Sequence, residues 1–347
     1  MSFARVGGAL LALLLCCPRA TIAADSQTSD RRAVLLLRES VDAPKTVSYI
    51  GQLQTVRFAS NGAAATLARI EHKAPSLTRR WFLAPEALYG DYVVTRDDRT
   101  YRFDVKRSRM IVAKRPAFED SALGDRLDLV LRNYRPLFDD METVASRPAD
   151  AILLINKYTG ERAMRLWIDD KTHLVLRKEE FRGNGAVATQ TRFEAIRYAE
   201  NLPDDIFSVQ APPGFTRTQG YSAHAPSSDL DEIVREIGFA PYKPKDLPQG
   251  FVLIGGDVSD ANDVKTLHLT YTDGLRTISL FENDKGAAVN FGDARTHATR
   301  FEGHEARYIE EGSTTLLAWA EHKLHFALVG DLGRSELERI AESVVPD

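Results

Sequence analysis

Near its C-terminal end the chain carries His322 and His325, the nearest approach to a metal-binding pair in its 347 residues. Two imidazoles must converge on one ion to bind it. On a strand, an i, i+3 spacing sends them to opposite faces instead, and Glu321 beside them does not repair the geometry. His297 and His304 stand equally apart, and the sequence contains no H-E-x-x-H pattern. The carboxylate pairs Asp97-Asp98, Asp139-Asp140, Asp169-Asp170 and Asp204-Asp205 have the chemistry for general acid–base work. Each falls at an expected turn or strand end, where aspartate bonds nearby backbone. No G-x-S-x-G elbow, phosphate-binding loop or dinucleotide fingerprint appears, and Gly255-Gly256 lacks the rest of any such motif. The sequence predicts no enzyme, no cofactor and no metal site.

Recognition is the remaining chemistry. Trp81, Phe82, Tyr89, Tyr92, Tyr101, Leu166 and Trp167 are candidates to line an apolar cavity for an acyl chain or a peptide. The same bulky side chains also suit the filling of a curled sheet. Arg79-Arg80, next to Trp81, fit either a lipid phosphate or an acidic peptide, or a solvated face.

The elements that would position these residues are mostly strands. From Ala163 to Arg182 two strands flank the polar turn Asp169-Asp170-Lys171. Met164, Leu166 and Ile168 are expected on one face, with Leu174 and Leu176 on the matching face. Similar strands are expected at Thr46–Phe58, Thr66–His72, Leu77–Leu83, Tyr89–Thr95, Thr100–Val105 and Met110–Lys114. Asn61-Gly62, Gly90 and Asp97-Asp98 supply turn chemistry there. Further strands follow at Glu142–Ser146, Ala151–Lys157, Arg162–Ile168, Leu174–Phe181 and Val187–Tyr198. Ile152-Leu153-Leu154-Ile155 is apolar on both faces, so that strand should be covered on both. Helices are expected at Asp30–Val41, with Val34, Leu37 and Val41 on one side, and at Ala122–Tyr134. Leu123, Leu127, Val130, Leu131 and Tyr134 make a single stripe on the second. About eleven strands with two helices favour a sheet curled around its helices, with a concave apolar inner face.

Arg5, the apolar run Val6–Cys17 and the small residues Ala20–Ala24 read as a cleavable secretory signal over 1–24. Both cysteines, Cys16 and Cys17, lie inside it, so the mature chain would fold without disulfides. Net charge is −4, and no basic stripe suggests nucleic acid. Residues 25–209 form the expected large domain. The Pro-, Gly- and Ser-rich stretch 210–228 reads as a linker. Residues 229–347 read as a smaller α+β domain. It opens with a helix carrying Leu230, Ile233, Val234 and Ile237, followed by a strand ending at Gly255-Gly256. A hairpin about Asp273-Gly274 joins Leu267–Thr272 to Arg276–Phe281. Strands at Glu305–Glu310, Thr314–Ala320 and Lys323–Val329 follow. A last helix is expected from the capping box Ser335-x-x-Glu338, burying Leu337, Ile340, Ala341 and Val344.

Several fragments resemble the RseB/MucB family of periplasmic sigma-factor regulators. These are Asn133-Tyr134, Arg165-Leu166-Trp167-Ile168-Asp169, Leu174-Val175-Leu176-Arg177 and Glu179 through Gly185 to Phe193. Leu247-Pro248-Gln249-Gly250-Phe251 and Tyr271-Thr272-Asp273-Gly274-Leu275 are similar to the start of that family's smaller C-terminal domain. The resemblance covers nearly the whole mature chain, most strongly Asn133–Phe193, whereas Gly312–Gly330 departs from it. It implies a large domain similar to the LolA/LolB lipoprotein carriers: a half-open antiparallel β-barrel with a helical lid and an apolar cavity, joined to a smaller α+β domain. It further implies a periplasmic negative regulator that binds the periplasmic segment of a membrane-bound anti-sigma factor and shields it from proteolysis. A lipid or lipopolysaccharide would be the releasing signal. A lipid or lipoprotein carrier and an envelope hydrolase are the alternatives.

Overall fold

A computed structural model describes residues 19–59, 62–114, 126–199, 201–219, 230–261, 264–284, 291, 296–311, 314–321 and 323–346. Most of the expected signal, the turn residue Asn61, Ala122 and Leu123, linker residues 220–228, Gly312 and His322 lie outside the described residues. The protein is mostly β with few helices. Among the described residues no helix is long and apolar enough to cross a membrane.

Twelve strands make the large sheet. They are β1 Tyr49–Ala59, β2 Gly62–Lys73, β3 Leu77–Ala84, β4 Tyr92–Arg96, β5 Arg99–Asp104, β6 Arg109–Lys114, β7 Tyr134–Val144, β8 Arg147–Asn156, β9 Arg162–Asp169, β10 Val175–Phe181, β11 Val187–Tyr198 and β12 Thr216–Gln219. Their order is β12-β6-β5-β4-β3-β2-β1-β11-β10-β9-β8-β7. The sheet is open, because β12 and β7 end it without pairing to each other. The expected half-open shape therefore holds only as an open sheet, not as a barrel. It does curl: Val144 at the end of β7 packs in one cluster with Phe193 and Ile196 of β11.

Helix α1, Arg19–Asp42, lies against β7 and β8. Its buried stripe is Ala33, Leu36, Leu37 and Ser40, a spacing of i, i+3, i+4, i+7. The expected stripe of Val34, Leu37 and Val41 is rotated from this, since Val34 and Val41 are only half-buried. Arg32 fixes the helix through a 2.6 Å bond to Asp150 and a guanidinium 4.4 Å over the Phe138 ring. Helix α2 is Leu127–Asn133. Tyr134, expected to finish that helix, instead opens β7, because Pro136 disfavours helical backbone at Arg135.

Both faces of the sheet's middle strands are buried. Leu166 and Ile168 of β9 pack under α1 with Ile152 and Leu154 of β8. Trp167 points the other way, to Ala149, Ala151, Leu176 and Phe193. Leu176 was expected to share the face of Leu166. A bulge between Val175 and Arg177 turns it over, and Val175 takes its place against α1. On the β3–β6 half, Val94, Phe103, Met110 and Val112 are covered by Leu202 and Phe207 from the segment after β11. The stretch expected as linker then supplies β12, pairing parallel to β6 from Thr216↔Arg109 to Gln219↔Val112.

The small sheet has the order β14-β15-β16-β20-β19-β18-β17. Its strands are β14 Val252–Ala261, β15 Val264–Thr272, β16 Thr277–Asn283, β17 His297–Phe301, β18 His304–Glu311, β19 Thr314–Glu321 and β20 Leu324–Gly330. β14 runs past Gly255-Gly256, where it was expected to stop, and β17 was not expected. Helices α3, Leu230–Ile237, and α4, Arg334–Glu342, cover one face through Ile233, Ile237, Leu337 and Ile340. The two-stranded pair β13, Tyr242–Pro244, and β21, Val344–Pro346, completes the unit. The cap of α4 falls two residues early: Gly333 is the N-cap, and its N–H donates to Glu336 at 3.2 Å. Glu338 instead accepts the Thr299 hydroxyl at 2.6 Å.

Glu282 of β16 is fully buried in this unit. One carboxylate oxygen accepts the Tyr242 N–H at 3.0 Å, and the other has no partner. Burial pushes its pKa up to about 7. A carboxyl raised in the folded state supports folding below its unfolded value, and that support is lost as pH rises through about 7. Urea midpoints should therefore fall between pH 6 and pH 8, and Glu282→Gln should flatten that dependence. In α1, Leu37→Ala should cost about 2–5 kcal/mol. Leu35→Ala, at a position 59% exposed, should stay within about 0.5 kcal/mol in the same titration.

Candidate functional site

The seven candidate cavity residues do not converge. Trp81 and Tyr92 stack at 5.3 Å, and Tyr92 stacks on buried Phe103 at 4.2 Å. Arg79 caps this ladder, its guanidinium 4.7 Å over Trp81 and 5.2 Å over Tyr92. Tyr101 packs against the same cluster. Phe82 is half-buried and Tyr89 is 63% exposed. Leu166 and Trp167 lie in the other half of the sheet, on opposite faces. The guanidinium groups of Arg165 and Arg177 both stack on Trp167, 4.5 and 4.1 Å from its ring. Leu166 and Trp167 are thus filled core, whereas Trp81, Phe82, Tyr92 and Tyr101 are half-buried and Tyr89 is exposed.

The aspartate pairs are structural where they are most buried. Asp169 is 1% exposed and accepts Arg147 Nε at 2.5 Å and Thr172 N at 2.8 Å. Burial works to raise its pKa, but these bonds outweigh burial and hold it low. Asp139 pairs with Arg165 at 2.6 Å, and exposed Asp204 with Lys73 at 2.5 Å. Asp97 sits at a positive φ of 56° in a turn. Among the described residues no group of three His, Cys, Asp or Glu could hold a metal.

One polar chain escaped the sequence reading. His268 on β15 has Nδ1 3.0 Å from Asp257 of β14, and Nε2 2.9 Å from the Ser279 hydroxyl of β16. The order carboxylate, imidazole, hydroxyl is that of a nucleophilic triad. Its setting is different. Thr270 also reaches Nε2 at 3.2 Å, the imidazole stacks on Phe281 at 4.4 Å, and His268 and Asp257 are 4% and 5% exposed. Ser279 sits mid-strand between Thr270 and Val329, where sheet pairing occupies the backbone donors that an oxyanion hole would require.

The most specific polar geometry joins the two sheets. Asp273, in the β15–β16 turn, is 1% exposed. Its carboxylate accepts the Tyr134 hydroxyl at 2.5 Å, Arg276 Nε at 2.9 Å, and the backbone N–H groups of Leu275 and Arg276 at 3.0 and 2.8 Å. Asn133, at the end of α2, donates from Nδ2 to Gly250 O at 2.9 Å and Asp273 O at 2.8 Å. Arg126 reaches Thr272 at 3.2 Å. Burial, then the charge of Asp273, raises the Tyr134 pKa, so the phenol stays a donor. Burial opposes the charge of Arg276, yet Tyr134 and Asp273 outweigh burial and keep it protonated. Two glycines let the surfaces meet. A Cβ on Gly274, at φ +102°, would fall 2.8 Å from Val130 N, and one on Gly250, at φ +95°, 2.8 Å from Asn133. Leu275 then packs into the core beneath α1.

Beside this joint lies a cleft of about 80 Å³ lined by Arg162, Met164, Glu180, Phe181, Arg276 and Asp331 among others. Sites for drug-sized ligands run from about 300 to 1,000 Å³, so this cleft is small by comparison. None of the joint residues stood out by chemistry in the sequence. The signal that marks them is the resemblance itself, because Asn133-Tyr134 and Tyr271–Leu275 are its two facing sides.

A model described as the MucB/RseB N-terminal domain matches residues 89–211. A second, described as a domain of unknown function (DUF4367), matches residues 241–344. No curated protein matches the sequence. Among solved structures, MucB in complex with MucA(peri) is similar with a TM-score of 0.62 and 18% identity, over 91% of this chain and 99% of that one. The Pseudomonas aeruginosa MucA/MucB complex gives 0.62 and 17%, over 91% and 99%. MucB alone gives 0.54 and 17%, over 91% and 98%. At such identities the likeness is one of fold.

Tyr134→Phe removes one bond from a buried carboxylate and should cost about 1–3 kcal/mol. Gly274→Ala should push the surfaces apart. In both variants, calorimetry should resolve two unfolding transitions where the wild type shows one. A single unshifted transition would mean that the joint carries no coupling.

Proposed function

We propose that this chain, a member of the MucB/RseB family through its large sheet, is an exported negative regulator that grips the periplasmic segment of an anti-sigma factor and shields it from proteolysis. The support is the match of residues 89–211 to that family's domain, together with a fold shared along 91% of the chain with MucB, which has been solved with MucA. A grip by steric cover requires extended, rigid surfaces and no reacting group. The open sheet and the docked small sheet supply the surfaces.

The releasing signal is a lipid in this reading. It acts only if it prefers the arrangement that does not hold the anti-sigma factor. Its contacts fall on the accessible aromatic side chains Trp81, Phe82 and Tyr89, with Arg79 and Arg80 nearby to meet a phosphate. Export follows from the signal expected over residues 1–24. The organisation proposed is a large domain over 25–209, a linker over 210–228 in which β12 is already engaged, and a small domain over 229–347.

The hydrolase alternative draws on the Asp257–His268–Ser279 chain, and it asks Ser279 to be indispensable. A lipoprotein carrier needs no second sheet locked to the first by a buried carboxylate, which favours the regulatory reading.

Residues 25–347 immobilised against an envelope extract should retain a membrane-anchored anti-sigma factor, identified by mass spectrometry, and protect its periplasmic segment from added protease. Ser279→Ala should leave both intact. Recovery of lipoproteins alone, or loss of function with Ser279→Ala in a folded protein, would refute the assignment.

A further inference from the structure

Glu180 of the large sheet and Asp331 of the small sheet line the same small cleft. Asp331 follows β20, and its N–H donates to Thr277 O at 3.2 Å. One carboxylate oxygen accepts the Thr314 hydroxyl at 2.9 Å. On its own side the nearby cation is Arg276, whose Nε already serves Asp273. Glu336 of α4 adds negative charge near that guanidinium. On the large-sheet side, Glu180 pairs with Lys178 at 3.0 Å. Glu161 accepts the Thr159 hydroxyl at 3.2 Å, while Arg162 lies 4.9 Å over the Phe181 ring and donates to Gly185 O at 3.3 Å. Met164, Phe181 and Leu275 make the remaining wall apolar.

Both arginines that line the cleft thus have other partners, and the joint leaves two carboxylates in one narrow cleft with partly apolar walls. We infer that the joint is an acid-tightened clasp: taking up a proton on Asp331, which faces the charge of Glu180, draws the two sheets together, and losing it loosens them. This property does not depend on what the chain binds.

The protonation behaviour agrees. Burial raises the Asp331 pKa, the charge of Glu180 raises it further, and the Thr314 bond and Arg276 only partly offset this. A carboxyl raised in the closed state favours closure below its open-state value, and that advantage is lost as pH rises through the closed-state value. The responsive window therefore begins near the ordinary carboxyl range and extends above it. If closing strengthens proton binding about tenfold, acid favours the closed form by the same factor.

The mature chain lacks cysteine, so a dye pair can be placed at Met141→Cys, 69% exposed, and at Glu305→Cys, whose side chain is 84% exposed. Energy transfer in the full mature chain, without any partner, should show the sheets drawing together as pH falls from 8 to 4. Asp331→Asn should hold the short distance at both values, and Glu180→Gln, on the other sheet, should remove most of the change. A wild-type distance that does not move, or one that moves equally in both variants, overturns the inference. Because no anti-sigma factor is present, either result leaves the regulatory assignment to its own test.

Discussion

A carboxylate with almost no access to water must be answered bond for bond, and Asp273 is answered from both sheets. Two of its partners are local backbone donors, one is the adjacent Arg276, and the fourth is Tyr134 from the other sheet. Removing a partner from such a group costs more than the same bond is worth in water, because no solvent replaces it. The two sheets are therefore coupled by an interaction that tolerates little misalignment. Gly250 and Gly274 show how close the approach is, since neither position has room for a methyl group.

That constraint gives the rest of the molecule a purpose. The large sheet curls until β7 meets β11, and buries both faces of its middle strands under α1 and around Trp167. Such a scaffold is stiff. β12 engages the chain between the sheets, so the connecting segment does not act as a free tether throughout. This build is consistent with the role proposed above, holding an extended partner across two surfaces. The relative position of those surfaces is set at one joint, and Glu180 and Asp331 line the cleft beside it.

Much of this architecture was readable from the sequence. Alternation placed β2, β3, β5, β6, β9, β10 and β11 within a few residues, and the stripe of Leu337, Ile340 and Ala341 identified α4. The misses have physical causes. Leu176 changes face at a bulge whose energy depends on β9, which alternation cannot reveal. Tyr134 fits a helical stripe and a strand equally well, and only Pro136 argues for the strand. β17 buries a single apolar residue, Phe301, and so carries no period. β12 is polar and exists through pairing with β6. The joint was invisible as chemistry because Asn133 and Asp273 look like ordinary turn residues until the chain folds back over more than a hundred positions. The aromatic candidates failed to converge for the reverse reason: residue type reports bulk but not which half of a sheet it fills.

If holding a partner depends on the two sheets acting as one, the decisive quantity is affinity with the joint broken but each sheet folded. Asp273→Ala removes the carboxylate that both sheets share, and circular dichroism can establish that the strands persist. Titration calorimetry with the anti-sigma segment proposed as its partner should then show at least about a tenfold loss against wild type, equivalent to roughly 1.4 kcal/mol. Unchanged affinity in a variant whose sheets move independently would contradict the account.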